Sequence, residues 1–139
     1  MGHHGLVETA LIDVRTGSRP VTDITDAVLR FCHAKGDGAC LVFVPHATAG
    51  VALMEVGSGS EEDLALALES ILPRDAEYRH RHGSPGHGRD HVLPAFISPS
   101  VLLPVIAGTP TLGTWQSVVL VDTNADNPQR KVRLSFLPG

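Results

Sequence analysis

Ala39-Cys40-Leu41-Val42-Phe43-Val44-Pro45 is an unbroken apolar run, too short for a typical helix and lacking the polar alternation of a half-wet strand. It is expected to form a strand buried on both faces. His46 stands at its end, so the most constrained segment of the chain delivers a polar, metal-competent side chain to its boundary.

The neighbouring segments take their form from period and punctuation. Leu6 to Val14 is mostly apolar and β-compatible, and it closes at the turn-like Thr16-Gly17-Ser18-Arg19-Pro20. Ile24, Ala27, Val28, Phe31 and Cys32 recur with helical period, with Thr22 or Asp23 available as a cap and Gly36 as a stop. A second extended segment runs from Thr48 to Glu55 and ends at Gly57-Ser58-Gly59-Ser60. Ser60 and Asp63 then resemble a capping box, and Leu64, Ala67, Leu68, Ile71 and Leu72 form the apolar stripe of a second helix that Pro73 ends. Arg74 to Asp90 has no periodic apolar pattern, and an irregular stretch of that length in a compact domain is usually functional or disordered. Asp90 is expected to cap a short helix starting at His91, with Pro94 in its first turn. Val101–Ile106, Thr114–Thr123 and Lys131–Leu137 complete the set as strands. The expected architecture is a single α+β domain over residues 1–139, a sandwich with a mixed sheet backed by helices.

Composition narrows the function classes. At 139 residues the chain can bury a core without disulfides. Cys32 and Cys40 fit no Cys-x-x-Cys spacing and read as buried thiols. No apolar run approaches the roughly 20 residues of a membrane span. Met1-Gly2-His3-His4-Gly5 lacks the features of a signal peptide, which gives a cytoplasmic expectation. A net charge of -4 argues against broad binding of nucleic acid or anionic membranes. An anionic ligand would therefore need a local cationic cluster.

Histidine is where the chemistry concentrates. His80, His82, His87 and His91 fall within one short stretch, and three imidazoles with an open fourth position form a catalytic metal site. Solvated loop histidines are the bland alternative, and no His-Glu-x-x-His pattern fixes two ligands on one helix. Arg74, Arg79, Arg81 and Arg89 crowd the same stretch and suit phosphate oxygens, or else form a solvated cationic loop. Glu55 and Asp63 flank the Gly/Ser loop as candidate acid–base groups, although acidic residues also favour a helix N-terminus. His33 reads as a surface or packing residue. Trp115 reads as a core anchor in a strand, with Gln116 facing the other side as a polar contact.

Taken in order, His46-Ala47-Thr48-Ala49-Gly50, Glu55, Asp63, Tyr78-Arg79-His80, His91, Pro104, Gly108 and Leu112-Gly113-Thr114-Trp115-Gln116 resemble the YjbQ family, often described as secondary thiamine-phosphate synthase. The resemblance runs from about Leu6 to the C-terminus. It implies a homotrimer of α+β subunits with a histidine-lined pocket for a metal ion or an oxyanion. His46, His80 and His91 match the family's histidine positions and are the expected ligands of a divalent transition metal, zinc above all. Glu55 and Asp63 match its acidic positions and are the expected catalytic groups. Arg79, Arg81 and Gln116 are the expected contacts to a small phosphorylated substrate. Met54, Ala47 and Asp90 depart from the residues usual at their places. The reaction this implies joins a pyrimidine pyrophosphate to a thiazole phosphate. Metal-assisted hydrolysis, with Glu55 taking the proton, and metal or phosphate binding without turnover are the alternatives.

Overall fold

The strands sort into two antiparallel sheets, with buried and exposed residues alternating most clearly along β5 and β8. The structure, a computed structural model, describes residues 6–80, 86–124, 126 and 128–139. Its elements are β1 (Glu8–Arg15), β2 (Val21–Asp23), α1 (Thr25–Cys32), β3 (Gly38–Phe43), β4 (Ala49–Met54), α2 (Ser60–Ile71), α3 (His87–Asp90), α4 (Leu93–Phe96), β5 (Ser100–Ile106), β6 (Thr109–Pro110), β7 (Ser117–Asp122) and β8 (Gln129–Pro138). One sheet has the order β1-β8-β3-β5-β6, the other β2-β7-β4. Every pairing is antiparallel. The α+β class holds, but the expected mixed sheet is replaced by two antiparallel ones. Of these pairs β5–β6 is closed by a short turn, whereas β1–β8, β2–β7 and β4–β7 join strands distant in the chain.

The main core lies between the sheets. Val42, Val105, Val118, Leu120, Val132 and Leu134 meet there, and Val28 and Cys32 of α1 pack into the same cluster. β7 is the strand buried on both faces. Val118 and Leu120 point toward the larger sheet, while Val119 and Val121 face Leu68 and Leu72 of the α2 segment and Leu93 of α4. Burial of such a side chain contributes roughly 1.5–3 kcal/mol, so β7 anchors the small sheet and holds its C-terminal end in place.

The Ala39–Pro45 run behaves differently from its expectation. Cys40, Val42 and Val44 are buried, but Phe43 is exposed and Leu41 only half-buried. Leu41 pairs with Leu102 on β5, and Ala39 sits between Leu137 and Pro104. An apolar outer face thus crosses the large sheet, with Phe43 and Leu102 exposed among the described residues.

Boundaries also shift. α2 starts at Gly59, whose φ of 97° makes it a left-handed N-cap, so the Ser60–Asp63 capping box does not form. Glu61 instead accepts from the Gly57 amide through both carboxylate oxygens, at 3.2 and 3.0 Å. The expected strand from Thr114 begins only at Ser117, because the Gln116 amide donates to the Gly113 carbonyl and closes a turn. Trp115 sits on that turn and is 73% exposed rather than a core anchor. The helix expected from His91 is split: α3 precedes His91, which is its C-cap, and α4 follows.

Candidate metal centre

Residues 73–80 and 86–91 form the group because two short pieces of chain are pressed together. Tyr78 donates its hydroxyl to the Pro73 carbonyl at 2.7 Å, which folds the segment back on itself. Gly88 of α3 then lies so close that a Cβ there would meet the Tyr78 Cβ at 2.5 Å and the His80 carbonyl at 2.7 Å. Only a residue without a side chain permits that approach. It brings His80 against the two histidines of α3 and its cap.

His87 and His91 are separated by one helical turn, so their side chains share a face. Their Nε2 atoms are 2.9 Å apart. The His80 ring lies 3.9 Å from the His91 ring and 5.2 Å from that of His87, centroid to centroid. One nitrogen from each of the three lies within 4.8 Å of the other two. A tetrahedral ion with zinc–nitrogen bonds of ~2.0–2.1 Å spaces its ligand atoms by about 3.3–3.4 Å.

The surroundings fix how the rings face. The Asp126 carboxylate lies 3.3 Å from His87 Nδ1. A carboxylate there favours the proton on Nδ1 and leaves the Nε2 lone pair pointing toward its neighbours, the usual support for a metal-ligating histidine. Asp126 is itself held, since its amide donates to Asn124 Oδ1 at 3.0 Å. Asn124 Nδ2 reaches Thr48 Oγ1 at 3.4 Å, and Arg130 joins the same hydroxyl while pairing with Asp122.

α3 is clamped on both sides. Arg89 donates through Nη1 to Glu69 Oε2 at 2.7 Å and to the Leu72 carbonyl at 3.2 Å, tying the helix to the end of α2. Asp90, fully buried, accepts from Thr123 Oγ1 at 2.6 Å, tying it to the end of β7. Four residues cannot hold a helix by propensity alone. These side chains do so.

The sequence-expected residues divide. His80 and His91 come together as expected. His46 does not join them: its Nε2 accepts the Lys131 amide at 2.9 Å, beyond the last rung of the β3–β8 ladder at Phe43–Arg133. That lone pair is therefore engaged in finishing β8. Burial, reinforced by Arg130, holds the imidazole below its ordinary pKa, against the opposing influence of the Lys131 amide and Asp122. His87, which the resemblance did not place among the ligands, stands beside His80 and His91 instead and is only 9% exposed. Helical spacing was the available signal, since His87 and His91 stand at i and i+4. Glu55 lies just beyond β4, and Asp63 is exposed in the first turn of α2. Neither belongs to the histidine group. Arg79 is exposed. Gln116 is exposed too, and its Oε1 accepts from the Gly113 amide at 2.8 Å. Arg81, His82, His3 and His4 lie outside the described residues.

Comparison with known proteins places this arrangement in context. A family model described as UPF0047 protein YjbQ-like matches residues 10–139. A UPF0047 protein of Mycobacterium tuberculosis is 62% identical over 133 residues, covering 96% of this chain and all of the relative. A UPF0047 protein of Archaeoglobus fulgidus is 30% identical over 122 residues, covering 87% and 95%. Among solved structures, a YbjQ-like protein of unknown function from Sulfolobus solfataricus superposes with a TM-score of 0.90 at 26% identity, covering 98% of this chain and 100% of that one. A hypothetical protein from Aeropyrum pernix gives 0.86 at 29% identity, with 95% and 99% covered.

Proposed function

The chain belongs to the UPF0047 YjbQ-like family, and from that premise we propose that it is a metal-dependent enzyme acting on a small phosphorylated substrate at the His80–His87–His91 centre. The observation that carries the reading is the convergence of three imidazole nitrogens within 4.8 Å of one another. The donor set fits zinc or a similar transition ion, which imidazole suits, better than a hard cation, which prefers oxygen. Zinc held there supplies Lewis-acid chemistry toward a phosphoryl oxygen or a water. The chain's own part is to hold the imidazoles correctly turned. Asp126 favours the required tautomer of His87, and the Arg89 and Asp90 clamps hold α3 against the 78–80 segment.

Two reactions are compatible with such a centre. Thiamine-phosphate synthase-like transfer is what the family resemblance implies. An all-nitrogen donor set favours the second reading, metal-assisted hydrolysis, because displacement of pyrophosphate ordinarily recruits an oxygen-ligated cation. Metal analysis of untagged protein, combined with rescue of a thiamine auxotroph, separates them. Histidine-dependent rescue supports transfer, and bound metal without rescue supports hydrolysis. Protein that binds no transition metal refutes the centre.

The proposed assembly is a homotrimer, supported by the open apolar face of the large sheet. Leu102 and Ile106 are more than half exposed there, and Phe43 and Leu137 are both 39% exposed. A contiguous patch of this kind marks an association surface, and its coverage by further copies would bury the second face of β3. No helix among the described residues is long and apolar enough to cross a membrane.

A further inference from the structure

We propose that a cavity adjoining the histidine centre is an anion-recognition subsite, in which Arg89 and Arg74 hold the phosphate or carboxylate group of a small molecule. The cavity has a volume of about 220 Å³ and is walled by Ser18 in the turn after β1, Ala65 of α2, Arg74, Arg89, and Asp122 and Thr123 at the end of β7. This is enough room for a small metabolite head group and not for a macromolecule.

Among its described lining residues the cavity carries two guanidinium side chains, Arg74 and Arg89, against one carboxylate, Asp122. Asp122 is the only acid among the described lining residues, and Arg130 pairs with its carboxylate, which also accepts the Asn124 amide at 2.9 Å. Arg89 gives Nη1 to Glu69, whose side chain is 57% exposed and therefore shares its charge with solvent. Arg89 Nε is different. It is buried in a side chain only 8% exposed, makes no hydrogen bond, and has its nearest acidic atom, Asp90 Oδ1, at 3.6 Å. A buried guanidinium N–H without an acceptor is costly, and an oxyanion in the cavity is the kind of group that would satisfy it. Arg74 adds a second cation at the same wall, donating Nη2–H to the Thr123 carbonyl at 3.4 Å.

The subsite and the histidine centre share structure. Arg89 lies in α3 between His87 and His91, and Asp90 beside it accepts the Thr123 hydroxyl. The stem of Arg74 packs on Gly86, where an added Cβ would meet its Cγ at 2.0 Å, immediately before His87. A molecule anchored here by its anion is presented to α3, the helix that carries two of the three imidazoles. This assignment moves anion recognition from the expected Arg79 and Arg81 to Arg74 and Arg89. It rests on the metal-centre reading for what the bound molecule undergoes, but not for its binding.

The test is titration of metal-stripped protein with inorganic phosphate and, separately, acetate, followed by NMR chemical shifts, so that the result stands whether or not the centre holds metal. Arg74→Ala removes one cation, and Ala65→Leu fills the cavity without altering any charge or histidine. Arg74→Ala should weaken binding of the anion that wild type prefers by about tenfold, as expected for loss of one charge-assisted hydrogen bond, and Ala65→Leu should weaken it by taking up the space the anion needs. Retained zinc content in both would show that the histidine centre is intact. Wild-type affinity in both variants, or no binding of either anion to wild type, overturns the proposal.

Discussion

His91 Nε2 lies 2.9 Å from His87 Nε2, one helical turn earlier in the chain. Two imidazole nitrogens at that distance share a single hydrogen when no ion is between them, and protonation of both rings would set like charges face to face. With an ion between them, both lone pairs turn inward. The relationship therefore ties the local geometry of α3 to the proposed metal binding.

The clamp on α3 predicts a graded effect. Arg89→Ala removes a buried guanidinium that joins α3 to Glu69 and the Leu72 carbonyl, and should cost about 1–3 kcal/mol of stability while weakening zinc affinity. Glu69→Gln should cost much less, because Glu69 is largely exposed and its partner keeps the carbonyl. Thermal unfolding and metal titration of the two variants check the order.

His46 predicts a pH dependence of metal-free stability. Its folded pKa is depressed by burial and by Arg130, so the unfolded chain binds the proton more readily. The stabilisation it gives is complete above its unfolded pKa of about 6.5 and declines as pH falls from there through the folded value. The charged groups of its surroundings are Arg130, Asp122, Asp13 and Lys131, the last two paired with each other. In denaturant titrations between pH 8 and pH 5, the stability lost on His46→Gln should shrink toward the acid end. A difference that does not vary with pH would show that the imidazole does not titrate in its bond to the Lys131 amide.

The two thiols should be inert in the native protein. Both cysteines are fully buried, and burial raises each pKa, that of Cys40 to about 12. The reactive thiolate is therefore scarce at neutral pH. Iodoacetamide should label Cys32 and Cys40 only on unfolding, and rapid native labelling would contradict the packing of the main core.

The outer face of the large sheet predicts the assembly. Leu102→Glu places a charge opposite Leu41 on the open face, and should convert a three-subunit mass to a single-subunit mass in light scattering while leaving circular dichroism unchanged. A single-subunit mass for wild type refutes the trimer.

Much of the fold was legible because period and punctuation are local. The helical spacing from Ile24 to Cys32 and the strand at Val101–Ile106 lie where the pattern put them. The run at 39–45 showed where its limit lies. Apolar continuity reveals that both faces avoid water but not what covers them, and in one subunit Phe43 and Leu102 remain open. Trp115 misled for a related reason, since a tryptophan in an apolar context reads as core until the Gly113–Gln116 turn is seen to lift it outward. At the site, His80 and His91 were legible from spacing and resemblance. His87 was not, because its role depends on Gly88 allowing a close approach to the 78–80 segment. His46 was misplaced because nothing in the sequence shows its ring accepting the Lys131 amide.

The most direct test of the central claim is the zinc content of four purified single variants after equilibration with the metal at neutral pH. His80→Ala, His87→Ala and His91→Ala should each lose most of the bound zinc with the fold intact, since each supplies one of the three converging nitrogens. His46→Ala should keep it. Retention by His87→Ala together with loss in His46→Ala would contradict the account and put His46 in the third ligand position.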